Sequence, residues 1–239
     1  MSTETRPTSK ALIEAIKSRG HWRVLFRPLR FNATRIPSLS KCEEVVEKAS
    51  VSLRGWSYPH IPRRAGPTFV NDYVEGATDS GAYKELWRLY QSGQFVHLDS
   101  LKEDWMKEDS WFANNRREPG EVLEIINTVY TVTELFEFLS RLARLGIYKE
   151  GVEVSVGLHN TEGRRLAIFD RMRAPLHGEY RCMSPDIVFE RTLTEPVAIQ
   201  KSKDTALEAL IHFVERFNWK NPPVEIIRAD QQRLLEGRL

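Results

Sequence analysis

Val152-Glu153-Val154-Ser155-Val156-Gly157-Leu158 is the stretch whose reading decides the fold class. Val152, Val154, Val156 and Leu158 alternate with Glu153 and Ser155, the pattern of a strand with one buried face. Asn160 to Gly163 then turns the chain, and Arg164 to Phe169 reads as the return strand of a β-hairpin. Ile187 to Leu193 supplies a third strand. Helical spacing flanks these strands on both sides. Upstream, Leu135, Phe138, Leu139 and Leu142 share a face, Thr131 and Glu134 have capping-box spacing, and Gly146 closes the helix. Downstream, Ala206, Leu207, Leu210, Ile211, Val214 and Phe217 form a second apolar face that ends before Pro222-Pro223. The tail to Leu239 is expected at the surface or against a partner. A hairpin with a third strand is antiparallel, and its apolar face needs helices to cover it. The expected class is α+β, with helices packed on one face of the sheet.

The first half resembles this order loosely, so two α+β halves, 1–115 and 116–239, are expected; the alternative is one continuous domain with a shared core. Leu12, Ile13 and Ile16 predict a helix over Ser9–Ser18, stopped by Gly20. Trp22, Val24 and Phe26 alternate in a strand that Pro28 ends. Ser40 and Glu43 have capping-box spacing before a second helix bearing Val45, Val46 and Ala49. Ser50 to Arg54 and Thr68 to Val74 read as strands. Tyr83, Leu86, Trp87 and Tyr90 fit a helix face, but Ser92-Gly93 between two aromatic-rich runs favours a hairpin. Ser100 and Glu103 open a short helix through Lys107.

A chain of 239 residues, with 41% apolar and 28% charged residues, has the composition of a globular protein. Met1 to Lys10 is polar, without the apolar run of a signal peptide, and no stretch approaches a membrane span. Cys42 and Cys182 have no Cys-x-x-Cys or zinc spacing, so two reduced thiols in a cytoplasm are expected. Phosphate-loop, dinucleotide, zinc-protease and nucleophile-elbow motifs are missing, so no cofactor, metal or catalytic residue is assigned. The net charge is +2, but it is unevenly placed. Residues 15–71 carry eleven basic and three acidic residues; residues 72–153 carry sixteen acidic and nine basic. The basic stretch either meets an anionic partner or neutralises the acidic middle of the same chain.

Leu53-Arg54-Gly55-Trp56-Ser57-Tyr58-Pro59-His60 combines arginine, aromatics and histidine in a loop stiffened by proline. Arg54, Trp56, Tyr58 and His60 are candidate ligand-binding residues, because arginine pins phosphates and aromatic rings stack bases. The plainer reading is a structural loop, with Trp56 in the core and Arg54 paired to an acidic neighbour. Trp87 to His97 adds Arg88, Gln91 and His97, the last a possible acid or base near neutral pH. Arg19, Arg23, Arg27, Arg30, Arg63 and Arg64 are candidate nucleic-acid contacts. Arg164 and Arg165 read as ordinary turn residues.

The segments Leu53–Trp56 with Tyr58–His60, Trp87–Phe95 and Glu103–Trp105 resemble a pattern in uncharacterised bacterial proteins. Some of those carry a Schlafen-like, Alba-type DNA-binding domain ahead of this region. The likeness runs from Leu53 to Trp105 and more weakly to Trp219; a first helix near Ser9 leaves no room for the extra domain here. It implies a DNA-associated or regulatory setting and no catalytic residues. The expected function is a non-enzymatic binding or sensor module for an anionic ligand, nucleotide or nucleic acid. The alternatives are an enzyme acting on a phosphate-containing substrate through His60 or His97, and a structural subunit docking onto a protein partner. No membrane partner is expected.

Overall fold

The computed structural model describes residues 9–62, 66–108, 117–170 and 172–238. Nine strands and six helices follow the order α1 (Ser9–Lys17), β1 (His21–Pro28), α2 (Leu39–Ala49), β2 (Thr68–Phe69), β3 (Tyr73–Ser80), β4 (Tyr83–Tyr90), β5 (Phe95–Ser100), β6 (Val122–Glu124), α3 (Ile125–Arg144), β7 (Val152–His159), β8 (Arg165–Ala167), β9 (Asp186–Leu193), α4 (Glu195–Gln200), α5 (Ser202–Glu215) and α6 (Val224–Leu235). Two short 3-10 turns, Lys102–Asp104 and Met106–Glu108, follow β5. Among the described residues no helix is long and apolar enough to cross a membrane.

Seven strands form one antiparallel sheet in the order β2-β3-β4-β5-β1-β7-β9. The protein is α+β. β1 lies between β5 and β7, so strands from before and after residue 115 share one sheet. The alternation in β1 buries Trp22, Val24 and Phe26 and leaves Arg23 and Arg27 exposed. The predicted hairpin over residues 152–169 is not formed. Both edges of β7 carry eight-residue ladders, to β1 and to β9. Arg165–Ala167 instead pairs in parallel with β6. Two long ladders leave the short segment no edge to join.

α3 is the central helix of the main core. Phe136, Phe138, Leu139 and Leu142 are buried there with Trp22, Phe26, Phe95 and Phe189 of the sheet. α2, α4, α5 and α6 all contact α3. α1 covers the opposite face. Its Leu12 and Ile16 cluster with Leu86 and Leu98, whereas the adjacent residue Trp87 points into the main core. The helices therefore stand on both faces of the sheet.

Several local expectations change. α2 is capped by Ser38, whose hydroxyl accepts from Lys41 N–H at 3.2 Å, rather than by Ser40. α3 begins at Ile125 with Glu124 as its cap, so Thr131 and Glu134 lie inside it. Their three-residue spacing puts both on one helix face, where both meet Arg54. The strand expected over 50–54 is reduced to one bridge, Val51 to Tyr58. That over 68–74 divides into β2 and the start of β3. The tail folds as α6 and buries Ile227 and Leu234. Cys42 and Cys182 are both buried and free.

Gly76 on β3 stands opposite Trp87 on β4. A Cβ at Gly76 would lie 2.2 Å from the Trp87 ring, so only glycine lets the indole lie across β3. Trp87 Nε1 then donates to the His60 carbonyl at 2.7 Å, which fixes the 54–60 loop over the sheet. Gly76→Ala is expected to lower stability by about 1–3 kcal/mol through overpacking. Urea unfolding measures it, and a midpoint equal to wild type would contradict this packing.

Candidate functional site

The core face of β3, β4 and β5 changes from apolar to polar along its length. Register pairs Gly76 with Trp87 and Trp87 with His97; next come Thr78 with Glu85, and Glu85 with Asp99. At this polar end the 54–60 loop and the N-terminal half of α3 stand off from the sheet. Between them is a cavity of about 380 Å³. Arg54, Trp56, Tyr58 and His60 all line it, with Tyr83, Glu85, Asp99 and Lys102.

Glu85 and Asp99 form the floor. They face each other across adjacent strands, where like charges repel. Glu85 is held by its surroundings: one oxygen accepts from the His60 backbone N–H at 3.0 Å and lies 2.9 Å from His97 Nε2. His97 Nδ1 lies 3.1 Å from the Tyr58 hydroxyl. A carboxylate only accepts, so His97 donates from Nε2 to Glu85, and in that tautomer its Nδ1 accepts a hydrogen bond from the Tyr58 hydroxyl. Burial, with Glu85 and Asp99 nearby, pushes the Tyr58 hydroxyl well above its ordinary range. Asp99 accepts no hydrogen bond from the described residues. Burial lifts its carboxyl to about 7; His97 and Arg54 oppose that shift and Glu85 adds to it.

Arg54 forms one wall. Its Nε and Nη2 donate to Glu134, at 3.0 and 2.5 Å, and its Nη1 donates to Asn127 at 2.7 Å. Glu134 is fully buried. Burial holds the Glu134 carboxyl above its ordinary range even beside Arg54. The mouth is aromatic: Trp56 is 42% and Tyr83 43% exposed, and their rings meet edge-on at 6.4 Å. Each ring has a cation beside it, Arg54 at 5.0 Å from Trp56 and Lys102 at 5.7 Å from Tyr83. Trp56 is thus a rim residue rather than a core plug.

The other sequence candidates lie elsewhere. Arg88 has the parity of Leu86 and therefore faces α1, where it pairs with Glu75 at 2.7 Å. Gln91 sits at the far end of β4 and donates to the Ile36 carbonyl. His97 is 1% exposed beneath the cavity, so it reaches a ligand only through Glu85 or Tyr58. Arg63 and Arg64 lie outside the described residues. Of the basic run, Arg19 pairs with Glu108, Arg27 with Glu153 and Arg35 with Glu150. With Arg54–Glu134, four arginines of the basic stretch meet carboxylates of the acidic stretch. Arg23 and Arg30 form no ion pair among the described residues. Sequence reading missed Glu85, Asp99, Lys102 and Glu134; the signal for the first two was their placement either side of the Ser92-Gly93 turn. Among the described residues no group of three or more metal-ligating side chains converges.

Two outcomes follow. Arg54→Ala strands the buried Glu134 and is expected to cost about 3–5 kcal/mol. Adding Glu134→Gln should recover part of that loss in urea unfolding; no recovery would separate the two residues. Burial lifts Asp99 and Glu103 each to about 7, so in the fold each keeps its proton to a higher pH than in water and is about half ionised near neutral pH. A raised carboxyl value gives stability that is full below the unfolded value and is lost as pH rises from about 4 to about 7. Thermal melts across that range should show the decline, and Asp99→Asn should flatten it; an unaltered slope in the variant would rule Asp99 out as a cause.

Comparisons with protein-family models, with curated proteins and with solved structures find no match to this chain.

Proposed function

We propose that this chain is a binding or sensor module for a nucleoside-class ligand: a flat ring that carries N–H donors. The observation behind this reading is the Asp99 carboxyl, which accepts no hydrogen bond from the described residues, in the cavity that the exposed Trp56 also lines. A carboxylate accepts paired N–H groups of a base edge, and an indole stacks on any base. A cavity of about 380 Å³ is within the size range of small-molecule sites. Arg54, first read as an anion anchor, is already committed to Glu134. The floor is acidic, so phosphate would sit at the mouth toward Lys102 rather than at the bottom. This fits the DNA-associated setting that the sequence resemblance implies.

A second reading is acid–base catalysis. Glu85 accepts from the His60 N–H and lies against His97, while burial favours protonated Asp99. Two opposed carboxyls with unlike environments are how one site holds an acid and a base.

The test is calorimetric titration of purine and pyrimidine nucleosides, with ribose and inorganic phosphate as controls, alongside tryptophan fluorescence. A nucleoside should bind and quench fluorescence, and both Trp56→Ala and Asp99→Asn should weaken it about tenfold while still unfolding in one cooperative transition. Binding of ribose alone, or nucleoside binding indifferent to both variants, would overturn the reading. Chromatography of the incubated ligand separates the second reading: product that disappears in Asp99→Asn, with binding kept, would make the site catalytic.

A further inference from the structure

A second cavity, of about 370 Å³, lies on the other side of Arg54 and Trp56, which line both cavities together with Lys102 and Asn127. We propose that this second cavity is a subsite for an alkyl ammonium or guanidinium group, held by Glu103 and its neighbouring carboxylates. The inference stands apart from the nucleoside reading of the first cavity.

Three carboxylates line it: Glu103, Glu124 and Asp170. Two are supplied with donors. Glu124 accepts from the backbone N–H groups of Asn127 and Phe169, and Asp170 from Met172 N–H and Arg173. Glu103 is not. It is 5% exposed, and one oxygen accepts from Glu124 N–H at 2.8 Å. Its other oxygen, Oε2, is buried and has no hydrogen-bond partner among the described residues. A buried carboxylate oxygen without a donor is costly to keep, and a native structure rarely keeps one without a reason.

The two cations on the walls do not supply that donor. Arg54 is bonded to Glu134, Asn127 and Thr131. Lys102 neighbours Glu103 in sequence and reaches the Tyr83 ring, yet Oε2 takes no hydrogen bond from it. Burial lifts Glu103 to about 7, which agrees with a carboxyl that the fold does not neutralise. The remaining lining suits an alkyl stem: Met106, Ile126, Tyr130 and Phe169. Tyr130 and Phe169 offer ring faces to a cation, although Arg117 already lies 4.1 Å from the Phe169 ring. Acidic groups outnumber basic ones, one carboxylate oxygen lacks a donor among the described residues, and Met106, Ile126, Tyr130 and Phe169 supply apolar lining. That combination selects a cation on a hydrocarbon chain.

Agmatine and 1,4-diaminobutane are the probes, titrated by calorimetry at low salt, with butylurea as the uncharged control. Glu103→Gln keeps the shape and the acceptor for Glu124 N–H while removing the charge. The amines should bind wild type, butylurea should not, and Glu103→Gln should weaken the amines at least about tenfold. Asp99→Asn, in the first cavity, should leave amine binding in place. No amine binding at millimolar concentration, equal binding of amine and butylurea, or amine binding lost in Asp99→Asn but kept in Glu103→Gln would each overturn the proposal. Should Glu103→Gln fail to fold, the amine and butylurea comparison still decides. Loss of nucleoside binding alone would leave this subsite standing.

Discussion

Arg164 and Asp104 meet inside the protein as a fork-to-fork ion pair, with both side chains 1% exposed. Every polar atom of the pair has a partner. Asp104 also accepts from Gly20 N–H at 2.8 Å and Gly120 N–H at 2.9 Å. Arg164 also donates to the carbonyls of Asn160 and Val122. A buried pair is tolerated when its hydrogen bonds are complete and is strongly destabilising when one partner is removed. This one joins the turn before β1, the segment after β5, the start of β6 and the turn after β7. It explains why Gly20 has to be glycine: a Cβ there would lie 2.2 Å from the Arg164 guanidinium. It also explains why the chain leaves β7 instead of returning along it. Arg164 is drawn inward, and β8 follows it to β6. Lys102 and Glu103 immediately precede Asp104, so the same pair positions the residues that line both cavities.

What was legible in the sequence was whatever depends on spacing along one segment. Alternation in residues 152–158 and 22–26 gave true strands, and helical spacing gave α1, α3 and α5, because burial of one face imposes those periods. What was not legible was the neighbour of each strand. Val152 to Leu158 carries no mark that says β1 and β9 flank it. The apparent capping box at Thr131 and Glu134 shows the same limit. An i, i+3 pair is also how a helix presents two acceptors to one outside group, and here the outside group is Arg54.

The candidate site divides the same way. Arg54, Trp56, Tyr58 and His60 stood out because a stiff loop gathers unlike side chains within a few residues, and they meet at one cavity. Arg88 belonged to the same impressive stretch as Trp87, yet strand parity turns it to the opposite face. The carboxylates on the floor were invisible because Glu85 faces Asp99 only through the register of the hairpin, set where Tyr90 N–H bonds to Gln94. Arg164, read as an ordinary turn residue, is the most buried arginine among the described residues, and nothing local in Asn160–Arg164 announces Asp104.

The distribution of charge joins these observations. The basic stretch and the acidic stretch are joined in the fold by Arg19–Glu108, Arg27–Glu153, Arg35–Glu150 and Arg54–Glu134. Arg19, Arg27, Arg35 and Arg54 are therefore committed to holding elements of this chain together. Among the described residues, carboxylate oxygens without donors remain at both cavities: those of Asp99 in one and Glu103 Oε2 in the other. Keeping two half-protonated acids in place of apolar residues lowers stability near neutral pH, since each favours the protonated form that water would not impose. Natural folds accept such costs chiefly where a side chain has work to do. Under the proposed reading, a ligand complementary to these two cavities brings donors rather than acceptors. Of the two meanings that the sequence left open for the basic stretch, an anionic partner or neutralisation of the acidic middle, these four ion pairs carry out the second.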